Sequence, residues 1–143
     1  MRWTNVPVGC VIGVGALLTT LATVAAKPVP AELAGTTWRW AHFASSAEDF
    51  AVAEPERYTL AFDPSGWIRL RADCNHGAGG VTFPQAGVIH IDAIALTRAL
   101  CPPGSLGGRF ARDVARAVRW SLRDSKLYLE LPEAGALQLT RQP

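Results

Sequence analysis

Residues 57–72 read RYTLAFDPSGWIRLRA, and no other stretch constrains the fold as tightly. Tyr58, Leu60 and Phe62 alternate with Thr59 and Ala61. After a break, Ile68 and Leu70 alternate with Arg69 and Arg71. Successive side chains of a strand point to opposite faces, so this pattern buries one face and wets the other. In the DPSG break, Pro64 fixes one dihedral and Gly66 tolerates a positive one. The stretch predicts an antiparallel hairpin.

The same period recurs along the chain. TTWRWAHF, residues 36–43, sets Trp38 and Trp40 against Thr37 and Arg39. GGVTF, 79–83, is a shorter strand. VIHIDAI, 88–94, puts Ile89, Ile91 and Ala93 on one face and His90 and Asp92 on the other. RWSLRD, KLYLEL and ALQLT follow, separated by turns at Asp124-Ser125 and at PEAG. Only SLGGRFARDVARAVRW, 105–120, breaks the pattern. Leu106, Phe110, Val114 and Val118 recur every fourth residue, which predicts an amphipathic helix with Ser105 as N-cap. The expected fold class is α+β: a strongly bent antiparallel sheet or partly open barrel of about eight strands, closed by one amphipathic helix. ASSAEDFAVAEPE, 44–56, has no period and four acidic residues. It reads as an acidic, mobile surface loop open to binding.

The length of 143 residues allows one domain, and 49% hydrophobic with 18% charged residues fills a core. A net charge of +2, with Arg2 outside the domain, is too small for bulk nucleic-acid binding. Residues 1–26 carry Arg2 and then an uncharged apolar run ending in small residues. They read as a signal peptide cleaved before Lys27. The run also has the length to span a bilayer, so an uncleaved segment would associate the protein with the membrane. Its glycines and Pro7 make it a poor permanent helix, and Cys10 is badly placed for lipidation. Residues 27–32 read as a linker and 33–143 as the domain. The expected location is exported, periplasmic or cell-envelope.

Export fixes the redox setting. The mature chain keeps Cys74 and Cys101, and an even pair in an oxidising compartment predicts a disulfide. Cys74 lies in ADCNHGAGG, 72–80, where other chemistry competes. Cys74, His76 and Cys101, with His90 or Asp92, would supply zinc ligands, but the spacing fits no recognised pattern. Cys74 with His76 would make a nucleophile and base, but Cys101 quenches the thiolate. The glycines lead into a strand, not a helix, and so make no phosphate cradle. The structural alternative is a tight reversal built on Asn75, Gly77, Gly79 and Gly80. No catalytic residue, metal site or cofactor is expected.

CNHGAGG followed by LTRALCP, 96–102, resembles the two signature segments of the META domain, also called HslJ-like. Leu33, Gly35 and Trp38 are similar to that family's opening Leu-x-Gly-x-x-Trp. Asn75, Gly77, Thr97 and Arg98 fall at signature positions, with Cys74 and Cys101. The likeness covers residues 33–141. Asp73 and the run His76-Gly77-Ala78 depart from the family pattern. The resemblance implies a small, non-enzymatic cell-envelope protein with a binding or stress-protection role. From the residues themselves, Arg98 is expected to bind turn carbonyls or a buried carboxylate.

Arg109, Arg112, Arg116 and Arg119 recur at helical spacing and offer contact with an anionic surface. Asp113 and the acidic 44–56 loop are expected to neutralise part of that face. Trp38, Trp40 and Trp120 read as packing residues, and Trp67 as the best exposed of the tryptophans. The expected partner is an envelope protein or a lipid, with no nucleic acid. Two alternatives to the META reading are a lipid-binding, pilotin-like chaperone with its ligand between helix and sheet, and an inhibitor of an envelope hydrolase acting through a loop such as 44–56.

Overall fold

The computed structural model describes residues 27–143. The segment read as a signal peptide, with Cys10, lies outside the described residues. In chain order the elements are β1 (Thr37–Ala44), β2 (Asp49–Ala51), β3 (Tyr58–Asp63), β4 (Trp67–Ala72), β5 (Asn75–Thr82), β6 (His90–Ile91), β7 (Ala95–Leu96), α1 (Gly107–Ala115), β8 (Arg119–Arg123), β9 (Lys126–Glu130) and β10 (Ala136–Arg141). The sheet runs β6-β5-β4-β3-β1-β10-β9-β8, with β2 added to β1 and β7 to β5. Its pairs are antiparallel.

The two ends of this path nearly meet. Val88 bridges Arg119, the Ile89 N–H donates to the Val118 carbonyl at 3.2 Å, and the Trp120 N–H donates to the Gly87 carbonyl at 3.0 Å. The sheet is thus a nearly closed barrel with one seam, which removes most of the exposed edge an open sheet would carry. The hairpin read from 57–72 forms as expected, with Leu60 opposite Leu70 and Phe62 opposite Ile68. Leu33, Trp38, Trp40, Leu60, Ile68, Leu127, Leu129, Leu137 and Leu139 fill the interior. A register shift between Trp40 and His42 hands the inward role from the even-numbered Trp38 and Trp40 to the odd-numbered Phe43.

Helix α1 lies across the barrel end formed by the end of β1, the start of β3 and the end of β4. Phe110 stacks on Trp40 with ring centroids 5.3 Å apart and meets Tyr58 edge-on at 6.0 Å. The Tyr58 hydroxyl accepts the Leu106 N–H at 3.1 Å, so a barrel residue satisfies one of the free amides of the helix start.

Four expectations change. The helix ends at Ala115, because the Val118 N–H bonds to the Glu130 carbonyl and the chain enters β8. Sheet pairing outweighs the helical period there, which leaves Val118 exposed. Residues 88–94 keep only two strand residues, and Ala93 is exposed. The 44–56 segment is not an open loop: Phe50 in β2 pairs with Phe43, and Val52 is buried. The expected linker contributes Val29 to the core.

A stapled corner and an arginine groove as candidate functional sites

The stretch ADCNHGAGG makes its reversal at Asp73 and Cys74 alone, and Asn75 already begins β5. The left-handed residue is Asp73, at φ 64°, not Asn75. The glycines serve close approach within the strand. A Cβ on Gly77 would lie 2.9 Å from side-chain carbons of both Ile94 and Leu96, so the returning segment packs directly on the bare backbone.

Cys74 and Cys101 form a disulfide, with Cα atoms 5.5 Å apart. Asn75 extends this tie without a covalent bond. Its Oδ1 accepts the Ala99 N–H at 2.7 Å, and its Nδ2 donates to the Ala99 carbonyl at 3.0 Å. The side-chain amide thereby imitates a strand neighbour for Ala99. Thr97 completes the corner: its hydroxyl donates to Asn75 Oδ1 at 2.9 Å and accepts the His76 N–H at 3.0 Å. The signature residues Asn75, Thr97, Cys74 and Cys101 are therefore one assembly. Between the pinned Ala99 and Cys101 the chain turns outward, and Leu100 is 100% exposed.

Asp73 is only 2% exposed and takes the Arg57 Nε–H at 2.8 Å. The Ser105 hydroxyl, followed by the Arg57 guanidinium, holds its carboxyl below the usual carboxylate range against the opposing effect of burial. Arg98 does not fill this role. It is exposed and makes no hydrogen bond or ion pair among the described residues. Arg57 had no signature to mark it; only its place immediately before a strand, facing the β4–β5 turn, makes it the partner. Leu33 and Trp38 are core, and Gly35 has φ 70° and donates its N–H to the Phe62 carbonyl.

On the flank of α1 lies an open groove of about 580 Å³. Arg109, Arg112 and Arg116 form one wall, the Ser45–Glu48 turn and Glu133 lie opposite, and Phe43 contributes to the floor. Arg109 is its centre. Two of its nitrogens meet the Glu48 carboxylate at 3.0 and 2.6 Å, its Nε lies 3.4 Å from Asp113, and its guanidinium sits over Phe43 and Phe50. Hydrogen bonding to Arg109 holds the Glu48 carboxyl below its ordinary range. Arg116 pairs with Glu133, and Arg112 lies 3.9 Å from Asp113. Arg119 is not on the helix: it stands in β8, 3.9 Å from Glu130. The structure joins Arg109, Arg112 and Arg116 in one groove, separates Arg119 from them, and gives each a carboxylate.

Cys74 is thus not a free thiol, and no metal-ligand cluster of three or more His, Cys, Asp or Glu residues occurs among the described residues. Trp67 is 54% exposed, as its strand position implies. The space between helix and sheet is filled by Phe110, Trp40 and Tyr58. No helix among the described residues is long and apolar enough to cross a membrane.

The family model of the META domain matches residues 31–143. The chain belongs to the META domain family. Two solved structures share the fold of this META domain. An NMR structure of a protein from Burkholderia xenovorans is 19% identical over 77% of this chain and 83% of its own, with a TM-score of 0.65. A crystal structure of a duf4847 family protein from Bacteroides vulgatus is 14% identical over 78% of this chain and 96% of its own, with a TM-score of 0.54. A comparison with curated proteins gives no match. At these identities the two structures speak to the fold alone. The match begins two residues before Leu33, directly after Pro30, whose carbonyl accepts the Leu33 and Ala34 N–H groups.

Proposed function

We propose that this META-domain chain is an exported protein of the cell envelope that acts by binding, with no chemistry of its own. The observation that carries this reading is the Cys74–Cys101 bridge joined to the Asn75–Thr97 network. A disulfide that fastens an exposed loop to a barrel suits an oxidising compartment and a surface kept in one shape. The apolar segment before Lys27 suits the same route. Carriage of a lipid between helix and sheet is not part of the proposal, because aromatic side chains occupy that space. The test is cell fractionation followed by intact mass. Recovery from the periplasm with a mass starting at Lys27 supports the reading. A full-length chain in the cytosol contradicts it.

One observation favours inhibition of an envelope hydrolase as a second reading. The segment 97–101 is pinned at Asn75 and Cys74 yet presents Leu100 wholly to solvent. A rigid loop with an apolar tip loses little entropy on entering a cleft. This loop, and not the paired 44–56 segment, would enter it. Addition of the protein to purified envelope hydrolases, with Leu100→Asp as comparison, measures this directly. Inhibition that Leu100→Asp leaves unchanged would remove the reading.

A further inference from the structure

The cations of the helix groove all meet carboxylates within 4 Å, whereas a second set on the barrel wall forms no ion pair among the described residues. The strand registers set Arg71 opposite Thr59, Thr59 opposite Arg39, Arg39 opposite Thr140, Thr140 opposite Lys126, and Lys126 opposite Arg123. These six residues form one row across β4, β3, β1, β10, β9 and β8. They face outward, since their strand neighbours Leu60, Leu70, Trp38, Leu127 and Leu139 are buried. With an interstrand spacing of about 4.8 Å, Arg71, Arg39 and Lys126 stand about 10 Å apart, with a threonine in each gap.

None of the four cations takes part in an ion pair among the described residues. Arg71 donates its Nε–H to the Asp73 carbonyl, while Arg57 pairs with the Asp73 carboxylate. Arg123 lies over the Tyr128 ring at 4.1 Å, and Asp124 follows it in the turn. Lys126 and Arg123 face each other directly, an arrangement that destabilises a bare sheet. The repulsion is relieved when an anion lies along the row.

We propose that this row binds an acidic polysaccharide laid across the strands. Its carboxylate or sulfate groups meet the cations, and its hydroxyls meet Thr59 and Thr140. Guanidinium groups suit carboxylate and sulfate through paired hydrogen bonds. The spacers between cations are threonines, not the aromatic platforms on which the bases of single-stranded nucleic acid stack. The row follows the curve of the wall over six strands, so a flat bilayer touches only part of it, whereas a short oligosaccharide meets neighbouring cations by turning at its glycosidic bonds.

The experiment is calorimetric titration of the oxidised protein with a polyuronate, alginate oligomers, at low salt. The expected result is binding that weakens as salt rises. Arg39→Gln with Lys126→Gln loses at least about tenfold in affinity, and Arg112→Gln with Arg116→Gln loses less than about twofold for the same change in charge. Arg123→Gln with Lys126→Gln, on an exposed hairpin, serves as the second row variant, and the melting temperature of each variant establishes that it is folded. Three results overturn the proposal: no polyuronate binding by the unaltered protein, equal losses from row and helix variants, or tighter binding to phosphatidylglycerol vesicles or a single-stranded oligonucleotide than to the polyuronate.

Discussion

Ahead of α1 the fold is held by a disulfide, a buried ion pair and a side chain acting as a strand neighbour; along the flank of α1 it is held by two exposed ion pairs beside one buried carboxylate, Asp113. Both regions lie at one end of the same barrel and both carry arginine–carboxylate contacts. They differ in what surrounds the charges. Asp73 is shut away from water, as is Asp113 beside Arg109, whereas the carboxylates that Arg109 and Arg116 meet across the groove, Glu48 and Glu133, are exposed. Water and salt screen the second set and hardly reach the first. The corner is therefore built to stay in place, and the groove is built to exchange partners at little cost.

The largest expected effect breaks the corner. The bridge spans 27 residues of sequence, and the chain-entropy model values such a closure at about 3.5 kcal/mol. Cys74→Ser is expected to lower the melting temperature by roughly 10–15 °C, measured by circular dichroism. An unchanged melt would mean that the corner is held by its other contacts. Next is Asn75→Ala, which removes two bonds to Ala99 and one to Thr97 at a cost of about 1–3 kcal/mol in chemical denaturation. Asn75→Asp keeps the acceptor and loses the donor, so it is expected to fall between the unaltered protein and Asn75→Ala.

Acid acts on both regions, because the carboxyls of Asp73 and Glu48 are both held below their ordinary range. The Asp73 carboxyl lies below its ordinary 3.8 in the folded protein, so its stabilisation is fully present above about pH 4. It is lost as pH falls through the folded value. Asp73→Asn is expected to flatten the fall in stability over that acid range, and an unaltered pH profile would show that the Arg57 pair contributes nothing. The smallest effect is in the groove. Arg116→Gln is expected to change stability by at most about 1 kcal/mol, with the difference vanishing at high salt. A larger loss would make the groove a structural element like the corner.

The alternation of 57–72 and of the last three strands was legible because side chains declare their face one residue at a time. The close of the helix was not, because it depends on Val118 finding Glu130, a partner twelve residues away. The three residues of β2 are too few to show a period, and only the pairing of Phe50 with Phe43 defines them. In the corner, Cys74 and Cys101 could be paired by counting, and the family likeness marked Asn75 and Thr97. Their shared hold on the 97–99 backbone, and the choice of Arg57 over Arg98 for Asp73, depend on where the β4–β5 turn comes to rest against other segments. Likewise, the outward row of Arg71, Arg39, Lys126 and Arg123 exists only in the register of six strands.

The central claim is that the corner is covalently closed in the protein as the cell makes it. The most direct measurement is a free-thiol count on protein taken from cells under alkylating conditions, paired with thermal melts with and without reductant. The account predicts no free thiol at Cys74 or Cys101 and a melt that falls when reductant is added. Two free thiols, with a melt indifferent to reductant, would contradict it.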